Sequence, residues 1–346
     1  MTRTLKSVAL AAATLCLPAA AFAQSSVSIY GLVDMSVGQF QDAGAPKVKR
    51  VESGNMATSF LGFSGKESLS SSLKAKFAIE TFLRADVGAA GRFGPDVFWA
   101  RAAWVGLEGD FGSTTLGRTT NQFFVSTLIF NAFGDSFGYS PSIRQVLTPS
   151  VVHPQMLAFL GDTGWSNSLL YSSTSTGGFS FNLQGSLGEG TQPGNNVGAN
   201  VLYFGGPFAA TVAYQQVKQG LLGSTPAIQS AGFENQRSAQ LGLSYDLKVV
   251  KLFGQYSQVK TKATASTKST IYGVGVSAPV GPGKVLAQYG NAKAEFPTSE
   301  VVSKTLTVGY DYALSKSTNI YALVMNDKLT GLDAGNTIAL GLKLKF

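Results

Sequence analysis

The chain closes on TIALGLKLKF, residues 337–346, in which Ile338, Leu340, Leu342, Leu344 and Phe346 occupy every second position. This is the period of a β-strand whose other face carries Thr337, Gly341, Lys343 and Lys345. One face suits hydrocarbon and the other water. C-terminal residues are commonly loose, so a patterned strand that runs to the final residue implies a segment tied into a closed sheet.

The same pattern recurs along the chain. Val27, Ile29, Val33, Met35 and Val37 alternate with Ser28, Asp34 and Ser36; Leu241, Leu243 and Tyr245 with Gln240, Gly242 and Ser244; Leu306, Val308, Tyr310 and Tyr312 with Thr305, Thr307 and Asp311. From Ser26 onward about sixteen such segments of roughly ten residues follow one another, the signature of a transmembrane β-barrel. A soluble β-sandwich alternates in the same way, so the spacers must decide. Short ones at 110–112, 176–178, 205–207, 245–247 and 280–283 take turns with long polar ones near 41–55, 85–96, 121–165, 219–234 and 328–336. Short turns at one rim and long loops at the other fit a barrel with one side facing outside, its last strand paired with its first. The segment 318–327 alternates poorly. The expected fold is therefore all-β, a transmembrane antiparallel barrel.

The N-terminal stretch MTRTLKSVALAAATLCLPAAAFAQ reads as a secretory signal: Arg3 and Lys6, an apolar run from about Val8 to Leu17, then Ala21-Phe22-Ala23. The run is short and broken by Pro18, which argues against a membrane anchor, and Leu15 before Cys16 argues against a lipoprotein. The expected division is residues 1–23 as signal and 24–346 as a single barrel domain. The one cysteine would leave with the signal, so no disulfide is expected. Removing Arg3 and Lys6 from 27 basic residues leaves 25 against 19 acidic ones, a formal charge of +6. These charges are scattered rather than clustered, which does not suit nucleic-acid binding. No run of about 18 apolar residues follows the signal, so a membrane crossing must be made by strands.

Several stretches carry a family likeness. SSVSIYGLVDMSVG at 25–38, FLGFSGKESLSSSLKAKFAIE at 60–80, RAAWVGLEGDFGSTTLGR at 101–118 and the terminal GLKLKF resemble the trimeric general porins of Gram-negative outer membranes, especially those common in β-proteobacteria. The resemblance implies a homotrimer of sixteen-stranded barrels among outer-membrane lipid and lipopolysaccharide, each with its long third external loop folded into the lumen. It implies passage of small hydrophilic solutes and ions, and the formal charge of +6, Arg101, Arg118 and the inward lysines, weakened by Phe60 and Ser166, add the expectation of a mild anion preference. Residues 121–165 match that loop in length, and Asp135 in NAFGDSFGYSP resembles its acidic part. Phe346 resembles the aromatic terminus read by the outer-membrane assembly machinery. Arg101 and Arg118 match basic positions of the family; Phe60 and Ser64 stand where such porins often carry basic groups, Ser166 where a third is expected, and Leu344 where relatives often have histidine.

In SLKAKFAIETFLRA, residues 72–85, Leu73, Ala75, Phe77, Ile79 and Leu83 form the lipid face and turn Lys74, Lys76, Glu80 and Arg84 inward. A charge facing lipid at midplane costs about 2 to 4 kcal/mol. The candidate constriction set is therefore Arg101, Arg118, Lys74, Lys76, Glu80, Arg84 and Asp135. Trp99, Trp104, Tyr310 and Tyr312 are candidates for interfacial girdles. Catalysis has little support, because the one histidine, His153, has no GxSxG element to serve. No metal or cofactor is expected: no histidine pair, surviving cysteine or EF-type spacing exists, and the glycines at 273–275 lie within a strand. Two other readings stay open. One is a channel specific for small organic acids, suggested by Phe60, Phe123, Phe124 and Phe130; the other is a non-conducting structural or adhesive barrel.

Overall fold

The structure, a computed structural model, describes residues 26–94, 96–147, 162–189, 194–218 and 232–346. The expected signal segment and His153 lie outside the described residues. The first half contains β1 (Ser26–Phe40), β2 (Val48–Ser53), β3 (Phe60–Ser68), β4 (Lys74–Arg84), β5 (Ala89–Ala90), β6 (Ala102–Gly109) and β7 (Gly112–Thr120). Two short helices follow, α1 (Gln122–Ile129) and α2 (Pro141–Leu147). The wall resumes with β8 (Gly164–Ser172), β9 (Phe179–Ser186), β10 (Asn196–Gly205), β11 (Phe208–Val217), β12 (Asn235–Asp246) and β13 (Lys251–Lys262). It ends with β14 (Thr267–Val280), β15 (Gly283–Glu295), β16 (Glu300–Ala313), β17 (Thr318–Leu329) and β18 (Gly335–Lys345).

Of these eighteen strands, β2 and β3 lie in one line along β1, and β5 is a two-residue ladder on β4, which leaves sixteen in a closed antiparallel wall. β18 closes on β1 in the register Asp34 to Lys343 and Met35 to Leu342. Phe346 continues that ladder: the Gly31 N–H donates to its carbonyl at 3.0 Å, and its N–H donates to the Gly31 carbonyl at 3.2 Å. The patterned C-terminus thus runs to the last residue because the last residue is paired. In hydrocarbon an unpaired backbone group costs several kcal/mol, so closure is the condition for a sheet to exist there.

Side chains sort by parity. Leu241 and Leu243 are exposed on the outer face of β12, while Gln240 and Ser244 are buried on the inner one. Two sequence expectations change in detail. Residues 48–53, expected within a long loop, form a strand that extends the first hairpin. Residues 318–327 alternate poorly because β17 is apolar on both faces: Tyr321, Leu323 and Met325 point inward and are buried, Tyr321 and Leu323 in a cluster with Phe133 and Tyr139 of the segment after α1.

That segment occupies the lumen, and the wall beneath it is built for contact. Gly242, Gly273, Gly275 and Gly290 all belong to the inner face of β12, β14 and β15. A Cβ at Gly242 would lie 2.8 Å from the Phe130 ring, and one at Gly290 2.9 Å from Pro141 Cβ. Around them, amides and hydroxyls of the wall bond the loop. Asn121 caps α1 by accepting from the Phe124 N–H at 3.0 Å and donates to Gln215 at 2.7 Å. Gln255 donates to the Thr127 carbonyl at 2.8 Å, Gln288 to Ser142 at 2.6 Å, and Gln145 to Thr305 at 2.8 Å. Gly290→Val should unseat α2, since overpacking costs typically about 1 to 3 kcal/mol; the expected readout is faster proteolytic nicking within 121–147 together with altered single-channel conductance.

Candidate functional site

The loop tip and the facing wall enclose a cavity of about 530 Å³. Phe133, Gly134 and Asp135 line it from the tip, Tyr30 and Phe60 from β1 and β3, and Leu286 with Lys284, Asp311, Lys343 and Lys345 from β15, β16 and β18. Strand parity puts these wall residues inward: Tyr30 shares its face with Asp34 and Ser36, and Lys343 and Lys345 share theirs with Thr337 and Gly341.

Arg101 precedes β6 and enters this region from the side. Its guanidinium lies 3.9 Å above the centre of the Phe60 ring and forms an ion pair with Glu80 of β4. The Tyr30 hydroxyl donates to the same carboxylate at 2.5 Å. Arg101 and Glu80 are thus neutral as a unit, and Phe60 supplies a π-face to the cation. Asp135 accepts from Thr58 at 3.4 Å, and burial pushes its carboxyl above the ordinary range despite the pull of Arg101 and Lys343. Lys343 is paired with Asp311 at 2.8 Å, whereas the ammonium groups of Lys284 and Lys345 have no ion pair among the described residues.

The other sequence candidates lie elsewhere. Lys74 and Lys76 open β4 beside the short turn at 69–73, at the rim, where Lys76 pairs with Glu108 at 2.9 Å. Arg84 ends β4 at the opposite rim. Arg118 donates to Asp162 at 2.5 Å and to Ser166 at 3.0 Å. Asp162 also pairs with Arg92 at 2.5 Å, and Arg92 holds Asp96 at 2.8 Å. Arg118 is therefore a member of an ionic cluster at the loop's root, apart from the cavity.

The sequence profile of the Gram-negative porin family matches residues 7–332. The chain belongs to that family. Outer membrane porin protein 32 of Delftia acidovorans is 31% identical over 99% of this chain and 93% of its own length. An outer membrane porin of Bordetella pertussis is 26% identical over 92% of this chain and 93% of its own. Among solved structures, an anion-selective porin from Comamonas acidovorans superposes with a TM-score of 0.77 at 25% identity, covering 93% of this chain and all of that one. The protein is an outer-membrane porin, and its lumen is a water-filled path for passive diffusion of small hydrophilic solutes and ions.

Sequence reasoning missed three cations of this porin's cavity, Lys284, Lys343 and Lys345. Two were legible: Lys343 and Lys345 sit on the wet face of the terminal strand. Lys284 follows the 280–283 turn and has no motif around it.

In the Asp162 cluster burial opposes ionisation, yet the two neighbouring guanidiniums outweigh it and hold the carboxyl below the ordinary range. A depressed carboxylate stabilises above the ordinary range and loses that contribution only as pH falls through its lowered value. Asp162→Asn removes the counter-ion shared by Arg92 and Arg118; breaking such a buried pair costs about 3 to 5 kcal/mol. The expected result is a lower thermal midpoint at pH 7, with the difference from the parent protein shrinking in strong acid, measured by heat-dependent mobility or circular dichroism.

Proposed function

We propose that this porin conducts by diffusion alone, without a catalytic step, and with a mild preference for anions. The observation that carries this reading is the cavity beside the loop tip, where Lys284, Lys343 and Lys345 face Asp135 and Asp311, and the Arg101–Glu80 pair contributes no net charge. Cations that outnumber acids in a narrow aqueous passage raise the local concentration of anions, a bias that salt of about 0.1 M screens over roughly 10 Å. The relative from Comamonas acidovorans, which is described as anion-selective, supports the same sign. In this reading Arg101, Glu80 and Asp135 belong to the constriction, Lys74, Lys76 and Arg84 tune the field at the mouths, and Arg118 braces the loop. Three copies assemble in outer-membrane lipid and lipopolysaccharide, delivered by machinery that reads Phe346.

In a planar bilayer with a potassium chloride gradient, current should rise in groups of three with a reversal potential that favours chloride. Cation preference would overturn the charge assignment, and absence of current from folded protein would favour a structural barrel. The charge of Asp135 is present above its raised range and lost as pH falls through it. Mild acid should therefore increase chloride preference, and Asp135→Asn should abolish that pH step.

A second reading, a channel tuned for small organic acids, draws on Phe60, Tyr30 and Phe133, which place apolar surface beside the lysines. It expects benzoate to block chloride current in a saturable way where acetate does not; equal effects of the two would remove it.

A further inference from the structure

Tyr30, Gly62, Glu80 and Ala102 stand level on the inner face of β1, β3, β4 and β6, each the direct register partner of the next. Strands two apart lie about 10 Å from each other. The Tyr30 hydroxyl nevertheless donates to Glu80 Oε1 at 2.5 Å, so its side chain passes over β3. It passes at Gly62. A Cβ there would lie 2.8 Å from Tyr30 Cζ and 3.1 Å from Glu80 Cγ, contacts that could be relieved only by pushing the tyrosine aside. The neighbouring inward positions of β3 carry Phe60 and Ser64, so the glycine is the gap through which the bond is made.

Both oxygens of the Glu80 carboxylate are thereby committed. Oε1 accepts from Tyr30 and Oε2 from the Arg101 guanidinium, while the Arg101 backbone N–H donates to the Glu80 carbonyl at 3.3 Å. Phe60 fixes the other side: its ring centre is 3.9 Å from the guanidinium carbon and 5.9 Å from the Tyr30 ring, which it meets edge-on. The Glu80 side chain is 11% exposed and that of Arg101 30%. Arginine keeps its charge at any working pH. The field this wall presents to the passage therefore depends on whether the carboxylate stays turned to the guanidinium.

We propose that Glu80 is the specificity-determining residue of this wall, and that Tyr30 and Gly62 are positioning residues that hold its carboxylate on Arg101. Neither positioning residue is charged, yet together they decide how much of the arginine's charge passing ions meet. With Glu80 in place the guanidinium is a plane stacked on Phe60 within a neutral pair, and the excess of cations is left to the lysines of the cavity. The proposal rests on the reading of the lumen as an ion-selective passage; it concerns the direction in which selectivity moves, not the sign it starts from.

The test is the reversal potential of full-length porin variants in a planar bilayer under a potassium chloride gradient. Glu80→Gln unmasks Arg101, which Phe60 keeps in place, and should raise the chloride-to-potassium permeability ratio about twofold or more. Arg101→Gln should lower it, and the double variant should return to the parent value, because the pair leaves as a neutral unit. Tyr30→Phe and Gly62→Ala each release one carboxylate oxygen to turn toward the lumen; both should lower the ratio by similar amounts, and together no further than either alone. A Glu80→Gln ratio equal to that of the parent, with the double variant matching Arg101→Gln, would make Glu80 a structural residue and overturn the proposal. A parent ratio retained in Gly62→Ala would overturn the part given to Gly62. Unitary current steps certify insertion and fold in every variant. Cation preference in the parent would end the anion reading, while a rise with Glu80→Gln in the same recordings would still support the masked arginine.

Discussion

Every backbone N–H and C=O that faces hydrocarbon must find its partner within the protein, and the architecture follows from that requirement. A sheet meets it only by closing. Here closure is achieved by β18 on β1, carried to the last residue by the paired hydrogen bonds between Gly31 and Phe346. A closed sheet of sixteen strands encloses more space than its own side chains fill, so it holds water unless something enters it.

What enters is the loop carrying α1 and α2, and the wall accommodates it with glycines for approach and uncharged amides and hydroxyls for bonding. Gln255 and Gln288 of the wall are buried and donate to the loop, and the loop's own buried Gln145 donates to Thr305 of the wall. Most of these partners are neutral, since a buried charge needs a matched counter-charge and carries a desolvation cost; Arg144 of α2 is a charged contact, and it meets Asp42 at 2.6 Å and Asp327 of β17 at 3.6 Å. The loop in turn dries the inner faces of β15 and β17, where Leu286, Tyr321 and Leu323 form a core with Phe133. The passage that remains is bordered by the few lysines and carboxylates the loop leaves uncovered.

Charge is thus divided by position: a paired cluster around Asp162 at the loop's root, the pairing of Arg144 in α2 with Asp42 and Asp327, and a lysine-rich cavity at the tip. The neutral pairing of Arg101 with Glu80 explains why a motif-matched arginine says less about selectivity than its type suggests. Phe60 lies against that arginine, so it acts on the site through stacking rather than charge.

The strand count, the closure, the two rims and the inward-facing lysines of the terminal strand were all legible in the sequence, because a period of two and the difference between hydrocarbon and water act on each residue locally. Lys284, the partners of Arg101 and Arg118, and the reason 318–327 lacks alternation were not. Each of these depends on where residues 121–147 lie in the lumen and on which strands stand side by side. Local chemistry determined the wall; contacts between segments distant in the chain decided where its charges meet.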